Sequence, residues 1–170
     1  VVFVYGAAGV GKTALVRAAL DAAADVREVP AVVHVSLEGA LDAREAIDRT
    51  ARAMGTQRPQ PSAGAGSSED DDLARLVGAM PCALIWDDLE PALSRKIAPL
   101  VARFSQQQRS TSRVVLVSRR FMSAKEVSFR APVFEVKPLS VDAAIELVRA
   151  VEEARGRSLA RDVAEATGGN

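Results

Sequence analysis

The chain opens with a strand-like run that gives way to a glycine-rich loop and then to a helix-like run. The first 13 residues read VVFVYGAAGVGKT, and the next seven read ALVRAAL. Four positions fit the pattern G-x-x-x-x-G-K-[ST]: Gly6, Gly11, Lys12 and Thr13. In this pattern the glycines let backbone N–H groups turn toward an anion, and the following helix adds the positive end of its dipole. The stretch therefore predicts a loop that binds phosphate groups.

The residues of this loop have separate expected roles in holding a nucleotide. Lys12 is expected to reach the β- and γ-phosphates, and Thr13 to offer its hydroxyl to Mg²⁺. Backbone amides of the whole loop are expected to surround the phosphate oxygens: Gly6, Ala7, Ala8, Gly9, Val10, Gly11, Lys12, Thr13 and Ala14. The alternative is a glycine-rich turn without a ligand, which four coinciding positions disfavour because glycine supplies only ~7% of residues on average.

A second apolar run ends in two carboxylates. Residues 82–88 read CALIWDD. Like charges side by side repel, so the pair predicts a nearby cation, and Mg²⁺ is commonly held by one or two carboxylates together with phosphates. Asp87 is predicted to act on Mg²⁺ directly or through a metal-bound water, and Asp88 to orient or activate the attacking water. The alternative is a pair of loop carboxylates without a ligand.

A third strand-like run carries a hydroxyl and two guanidiniums at its end. Residues 113–120 read RVVLVSRR, and their last three residues are Ser118, Arg119 and Arg120. Ligands of open parallel sheets bind at the carboxyl edge, where a guanidinium can pair with phosphate oxygens in bidentate fashion. Arg119 is the preferred candidate for a γ-phosphate contact and for a catalytic role. Ser118 is also expected to bind the nucleotide, and together with Asp88 these residues are expected to respond to the γ-phosphate. An ion pair at the protein surface is the alternative.

Two further polar features have simpler interpretations. His34 is the single histidine, and it lies in a predicted strand near the sheet edge, where it cannot form a metal cluster alone. The acidic run at 69–72 reads EDDD, which suits a helix start better than a metal site because carboxylates favour a helix N-terminus.

Composition excludes some classes of function. The 170 residues carry 22 basic and 22 acidic side chains, so the net charge of zero gives no electrostatic argument for binding nucleic acid or a membrane surface. No apolar run approaches the ~20 residues needed to span a bilayer. The single cysteine, Cys82, fits a reducing cytoplasm. The chain begins inside a strand and without Met, so a fragment of a longer protein is expected.

Strand-like and helix-like runs alternate through about residue 137. This alternation predicts an α/β fold, with a parallel sheet that has helices on both faces. The phosphate loop and the aspartate pair lie about seventy residues apart with another strand between them, a layout that resembles the additional-strand branch of P-loop NTPases. The predicted domains are a P-loop NTPase core at 1–137 and the truncated beginning of a helical subdomain at 138–170.

Several segments resemble, in order along the chain, the NB-ARC domains of the STAND class of signalling NTPases. HVSLEGALDAREAIDRTARAMG is similar to their second strand and helix, ALIWDDLE to their Walker B strand, and SRVVLVSRR to their sensor strand. VFEVKPLSVDAAIELV resembles the lead into their helical subdomain, and ATGGN the residues before their Gly-x-Pro motif.

The resemblance implies an ATP/ADP-binding switch that requires Mg²⁺, hydrolyses ATP slowly, rests with ADP and forms an oligomer with ATP. It also implies winged-helix and sensor regions as partners, and a cytoplasmic role in signal transduction. Three departures stand out: no Pro follows ATGGN to help hold adenine, no winged helix is present, and Asp88 stands where efficient ATPases carry Glu. An AAA-type ATPase core and a non-hydrolysing ADP-binding scaffold remain the alternatives.

Overall fold

A computed structural model describes residues 1–25, 31–57, 69–79, 82–106, 112–121 and 131–155. These ranges contain five strands: β1 Val2–Tyr5, β2 Val32–Ser36, β3 Ala83–Leu89, β4 Arg113–Ser118 and β5 Val133–Glu135. They also contain five helices: α1 Lys12–Asp25, α2 Ala43–Ala53, α3 Glu69–Ala79, α4 Pro91–Gln106 and α5 Val141–Arg155. Helix α3 begins at the acidic run, as the helix-start interpretation predicted.

The five strands form one parallel sheet in the order β2-β3-β4-β1-β5. Strand β4 lies between β1, which leads into the phosphate loop, and β3, which carries the aspartate pair. The carboxyl ends of parallel strands meet at one edge, so this order brings the loop and the aspartates to the same side of the sheet. The predicted α/β fold with a parallel sheet is confirmed.

Helices cover both faces of the sheet because side chains alternate along each strand. Phe3 and Trp86 pack with residues of α2, α3 and α4 in the larger core. Val4 and Ile85 point to the other face, where they pack with Val16 of α1 in a smaller core. The nearly continuous apolar sequence of β3 and β4 follows from this burial on two sides.

Strand β3 contains an irregularity at the aspartate pair. Trp86 pairs with Leu116 and Leu89 pairs with Ser118, so β3 advances three residues while β4 advances two. A β-bulge of this kind bends the strand and redirects its side chains. The strand therefore continues to Leu89, one residue beyond the pair of carboxylates at which the sequence predicted its end.

The chain divides into two compact units, Val1–Val136 and Lys137–Asn170. In the second unit, Ser140 caps α5 by accepting a hydrogen bond from the backbone N–H of Ala143 at 3.2 Å. Residues 156–170, which include the predicted ATGGN lead-in, lie outside the described residues. Among the described helices, none is long and apolar enough to cross a membrane.

Candidate nucleotide-binding site

The loop between β1 and α1 has the backbone geometry that its glycines permit. Gly9 and Gly11 adopt positive φ angles of 74° and 91°. Gly6 is required for a different reason, since a Cβ added there would lie 2.3 Å from the carbonyl oxygen of Val136, just beyond β5. The loop therefore starts in close contact with β5 and then turns through left-handed conformations that favour glycine.

Lys12 begins α1 and bends back over the loop. Its Nζ donates a hydrogen bond to the carbonyl oxygen of Ala7 at 2.9 Å, and the residue is 9% exposed. The helix N-terminus and this ammonium group face an open cavity of about 340 Å³. The cavity is lined by Ala8, Gly9, Gly11, Lys12, Thr13, Ala14, Asp87, Asp88 and Arg119. The loop, the aspartate pair and Arg119 thus share one cavity.

Asp87 forms the closest link between the loop and β3. The Thr13 hydroxyl donates to its Oδ2 at 2.5 Å, and the Asp88 backbone N–H donates to its Oδ1 at 2.8 Å. Burial raises the pKa of the Asp87 carboxyl, but hydrogen bonds from Thr13, His34 and the Asp88 backbone together lower the pKa below its ordinary value. The group is therefore an ionised, hydrogen-bonded carboxylate near neutral pH.

His34 also belongs to this cluster, although its sequence context indicated only a position near the sheet edge. Strand β2 is an edge strand as predicted, but the His34 Nε2 lies 3.1 Å from Asp87 Oδ2. Its Nδ1 lies 3.0 Å from Nη2 of Arg17, on the second turn of α1. The register explains the first contact: His34 pairs with Ile85, two residues before Asp87 and therefore on the same face. Finding His34 from the sequence would have required knowing that β2 neighbours β3.

Asp88 has a looser environment than Asp87. Its backbone is left-handed, with φ at 56°, and its Oδ1 lies 3.7 Å from Nη2 of Arg119. The Ser36 hydroxyl lies 3.5 Å from its Oδ2. The Arg119 side chain is 63% exposed. Arg119 therefore pairs with Asp88, as the alternative interpretation of a surface ion pair predicted. It also lines the cavity beside the phosphate loop, as the predicted phosphate contact requires.

The remaining predicted residues lie around this cavity in other ways. Ser118 is buried, accepts the Arg120 backbone N–H at 3.2 Å, and lines an adjacent cavity of about 240 Å³. Asp88 and Arg119 line both cavities. Three residues of the loop do not line the larger cavity in the described part of the chain: Gly6, Ala7 and Val10.

The donor set around Thr13 fits a hard divalent cation. The Thr13 hydroxyl gives its proton to Asp87, so its oxygen lone pairs remain available to a metal ion. The ionised carboxylate of Asp87 supplies the compensating negative charge in a partly buried place. Oxygen ligands of this kind, completed by phosphates and waters, are those that Mg²⁺ prefers.

Together, a glycine loop between strand and helix, an ammonium group and a carboxylate at the end of a parallel strand define a P-loop NTPase fold. A sequence model of the NB-ARC domain matches residues 1–156. The chain therefore belongs to the NB-ARC family, and the resemblance seen in its sequence is confirmed. It is a nucleotide-binding module of the P-loop NTPase type.

Solved structures with the same fold come from proteins of larger size. Cdc6p from Pyrobaculum aerophilum has a TM-score of 0.65 at 20% identity, covering 90% of this chain and 43% of that chain. The Aeropyrum pernix ORC2 protein in ADPNP–ADP complexes has a TM-score of 0.61 at 15% identity, covering 89% and 45%. Drosophila ORC bound to DNA has a TM-score of 0.60 at 14% identity, covering 90% and 41%.

This chain spans less than half the length of each of those structures. At such identities the likeness shows the fold alone. A comparison with curated proteins found no match.

Proposed function

We propose that this chain is the ATP/ADP-binding module of a STAND-type signalling switch that hydrolyses ATP slowly. The observation that carries the proposal is the hydrogen bond between Thr13 and Asp87, which joins the phosphate loop to β3 beside the cavity. The NB-ARC match supports the same assignment. A glycine-rich turn without a ligand gives no reason for an ionised carboxylate to be held at this point.

The loop is proposed to bind the β-phosphate through its backbone amides and the N-terminus of α1. Lys12, now bonded to the Ala7 carbonyl, would exchange that partner for phosphate oxygens. Thr13 and Asp87 are the residues that would hold Mg²⁺, which neutralises phosphate charge when bound.

Discrimination between ATP and ADP is proposed to lie at the Asp88–Arg119 pair. Arg119 is mostly exposed and lies 3.7 Å from Asp88, so it can exchange that carboxylate for a γ-phosphate. Only ATP offers this phosphate, and a ligand shifts a conformational equilibrium by no more than its differential affinity for the two states. The pair therefore supplies the difference that a switch requires.

Slow hydrolysis is the proposed outcome of placing Asp at position 88. A carboxylate there can accept a proton from a water that attacks the γ-phosphate. The side chain of Asp is one methylene shorter than that of Glu, and the carboxylate is already engaged with Arg119. Both features make Asp88 a less effective general base than Glu would be at this position.

The wider proposal follows the family. The core at 1–137 works with a helical subdomain that begins at 138, and with winged-helix and sensor regions outside this sequence. In the resting state the protein holds ADP. Exchange of ADP for ATP causes it to form a homo-oligomer. The proposed location is the cytoplasm, since the single cysteine suits a reducing compartment.

The decisive experiment is calorimetric titration of ATP and ADP into the chain and its Lys12→Ala variant. Loss of the ammonium group is expected to abolish binding of both nucleotides. Lys96→Ala is the matched control, because Lys96 bonds the Leu41 carbonyl away from the cavity and its loss should leave both affinities unchanged. Equal affinities in the wild type and Lys12→Ala would contradict the assignment of the loop.

A second measurement separates the switch from the non-hydrolysing scaffold. A switch exchanges bound ADP for ATP and changes conformation or oligomeric state. A scaffold retains ADP under all conditions. Nucleotide exchange followed with a fluorescent ADP analogue, together with light scattering, decides between the two.

A further inference from the structure

His34 occupies a position between two charged side chains beside the phosphate loop. Its Nδ1 is 3.0 Å from Arg17 Nη2, and its Nε2 is 3.1 Å from Asp87 Oδ2. The three residues come from α1, β2 and β3. No part of the nucleotide-binding proposal above uses Arg17 or His34.

The direction of these hydrogen bonds follows from the chemistry of the groups. A guanidinium has donors and no acceptor, so the Arg17 contact requires Nδ1 of His34 to accept. A neutral imidazole with an accepting Nδ1 carries its proton on Nε2. That proton faces the carboxylate of Asp87, which can only accept while ionised. Arg17 therefore selects the tautomer of His34 that donates to Asp87.

The donors around Asp87 hold its carboxylate in one orientation. Oδ2 accepts from Thr13 and His34, and Oδ1 accepts from the Asp88 backbone. These bonds use three of the about four acceptor positions of a carboxylate. The remaining position lies on Oδ1 and is available to a water bound to a cation.

We propose that His34 and Arg17 are positioning residues that orient the Asp87 carboxylate and thereby set the affinity of the site for Mg²⁺. This inference rests on the proposed nucleotide-binding function. His34 is not itself a metal ligand in this arrangement, because both of its ring nitrogens are engaged. Partners of this kind around a metal site commonly change metal affinity about 10–100-fold when they are removed.

The competing explanation is that His34 merely fills a place on an edge strand. Two substitutions separate the explanations. His34→Gln keeps one donor and one acceptor on a side chain of similar reach, whereas His34→Leu keeps volume and loses both. If His34 only fills space, Leu should replace it at least as well as Gln does. If His34 positions Asp87, only Gln should preserve the affinity for Mg²⁺.

The first test uses the fact that His34 is the only histidine in the sequence. The 170-residue chain is prepared without a histidine tag and with ¹⁵N-labelled histidine, so that one imidazole gives all ring signals. Nε2 is expected to be protonated and Nδ1 unprotonated near neutral pH. In Arg17→Met the preference for this tautomer should weaken. A dominant Nδ1-protonated tautomer in the wild type would overturn the inference.

The second test measures the Mg²⁺ concentration needed to tighten ADP binding, with EDTA as the metal-free reference. His34→Leu is expected to raise that concentration about 10–100-fold, while the affinity for ADP in EDTA stays the same. His34→Gln should stay close to the wild type. Arg17→Met should move in the direction of His34→Leu and add nothing in the His34→Leu background, because Arg17 acts through His34.

The outcomes distinguish this inference from the function on which it rests. If ADP binding depends on Mg²⁺ to the same extent in all these variants, the positioning role is wrong and the proposed function stands. If the wild type binds no nucleotide with or without Mg²⁺, both are wrong. Equal losses for Leu and Gln, in EDTA as well as in Mg²⁺, would indicate a packing role and also overturn the inference.

Discussion

The two adjacent carboxylates of β3 have contrasting surroundings. Asp87 is 6% exposed and accepts hydrogen bonds from Thr13, His34 and its own neighbour's backbone. Asp88 has a left-handed backbone, and its contacts with Ser36 and Arg119 are 3.5 and 3.7 Å long. The two residues lie where the register of β3 against β4 shifts, between Trp86 and Leu89.

This difference suits the two side chains to different tasks. A carboxylate with three short hydrogen bonds is held in place, as an electrostatic partner of a bound cation must be. A carboxylate with long contacts to exposed partners can change partner when a phosphate arrives. Neighbouring carboxylates of one motif therefore differ in how firmly they are held because different elements supply their partners: α1 and β2 bond Asp87, whereas Asp88 meets exposed side chains.

The largest expected effect is on hydrolysis, through Asp88. Asp88→Ala should lower the rate of ATP hydrolysis by about 10²-fold or more, since a positioned acid or base typically contributes 10²–10⁴-fold. ATP and ADP affinities should change little. Single-turnover release of phosphate measures the rate, and Glu90→Ala is the control because Glu90 lines only the adjacent cavity. An unchanged rate would remove Asp88 from the proposed mechanism.

The next largest effect is on the Mg²⁺ dependence of ADP binding, through Asp87. Asp87→Asn should abolish most of the tightening of ADP binding by Mg²⁺, an effect of about 10–100-fold, because the amide carries no charge to balance the cation. Calorimetry in Mg²⁺ and in EDTA measures it, and Asp88→Asn serves as the control. If both substitutions reduce the effect of Mg²⁺ on ADP binding equally, the two carboxylates do not have different tasks.

A smaller effect tests how Asp87 is anchored in the core. Trp86, the residue before it, donates from Nε1 to the Thr50 hydroxyl at 2.9 Å, and that hydroxyl donates to the Ala46 carbonyl at 2.7 Å. Thr50→Val leaves the indole N–H without its partner, so the free energy of unfolding should fall by about 1–3 kcal/mol.

Urea denaturation followed by fluorescence of Trp86, the single tryptophan, measures this loss. Thr56→Val is the matched control because Thr56 is exposed, and substitutions at such places usually change stability by less than about 0.5 kcal/mol. Equal effects of the two substitutions would show that this buried hydrogen bond does not stabilise β3.

Much of the fold followed from local patterns. Strand and helix are set by the spacing of apolar residues along consecutive positions, so the parallel sheet and the acidic start of α3 could be predicted. The end of β3 was predicted one residue early, because a bulge depends on pairing with β4 rather than on the sequence of β3 itself.

The sequence by itself determined the phosphate loop, because the glycines, the lysine and the threonine that form it lie within eight consecutive residues. It also determined that two carboxylates lie near the end of a buried strand. Only the tertiary structure decided that β2 lies beside β3, which brings His34 to Asp87, and that Asp88 meets Arg119. The physical reason is that strand neighbours are chosen by the packing of the whole sheet, whereas a phosphate-binding turn is built from adjacent residues.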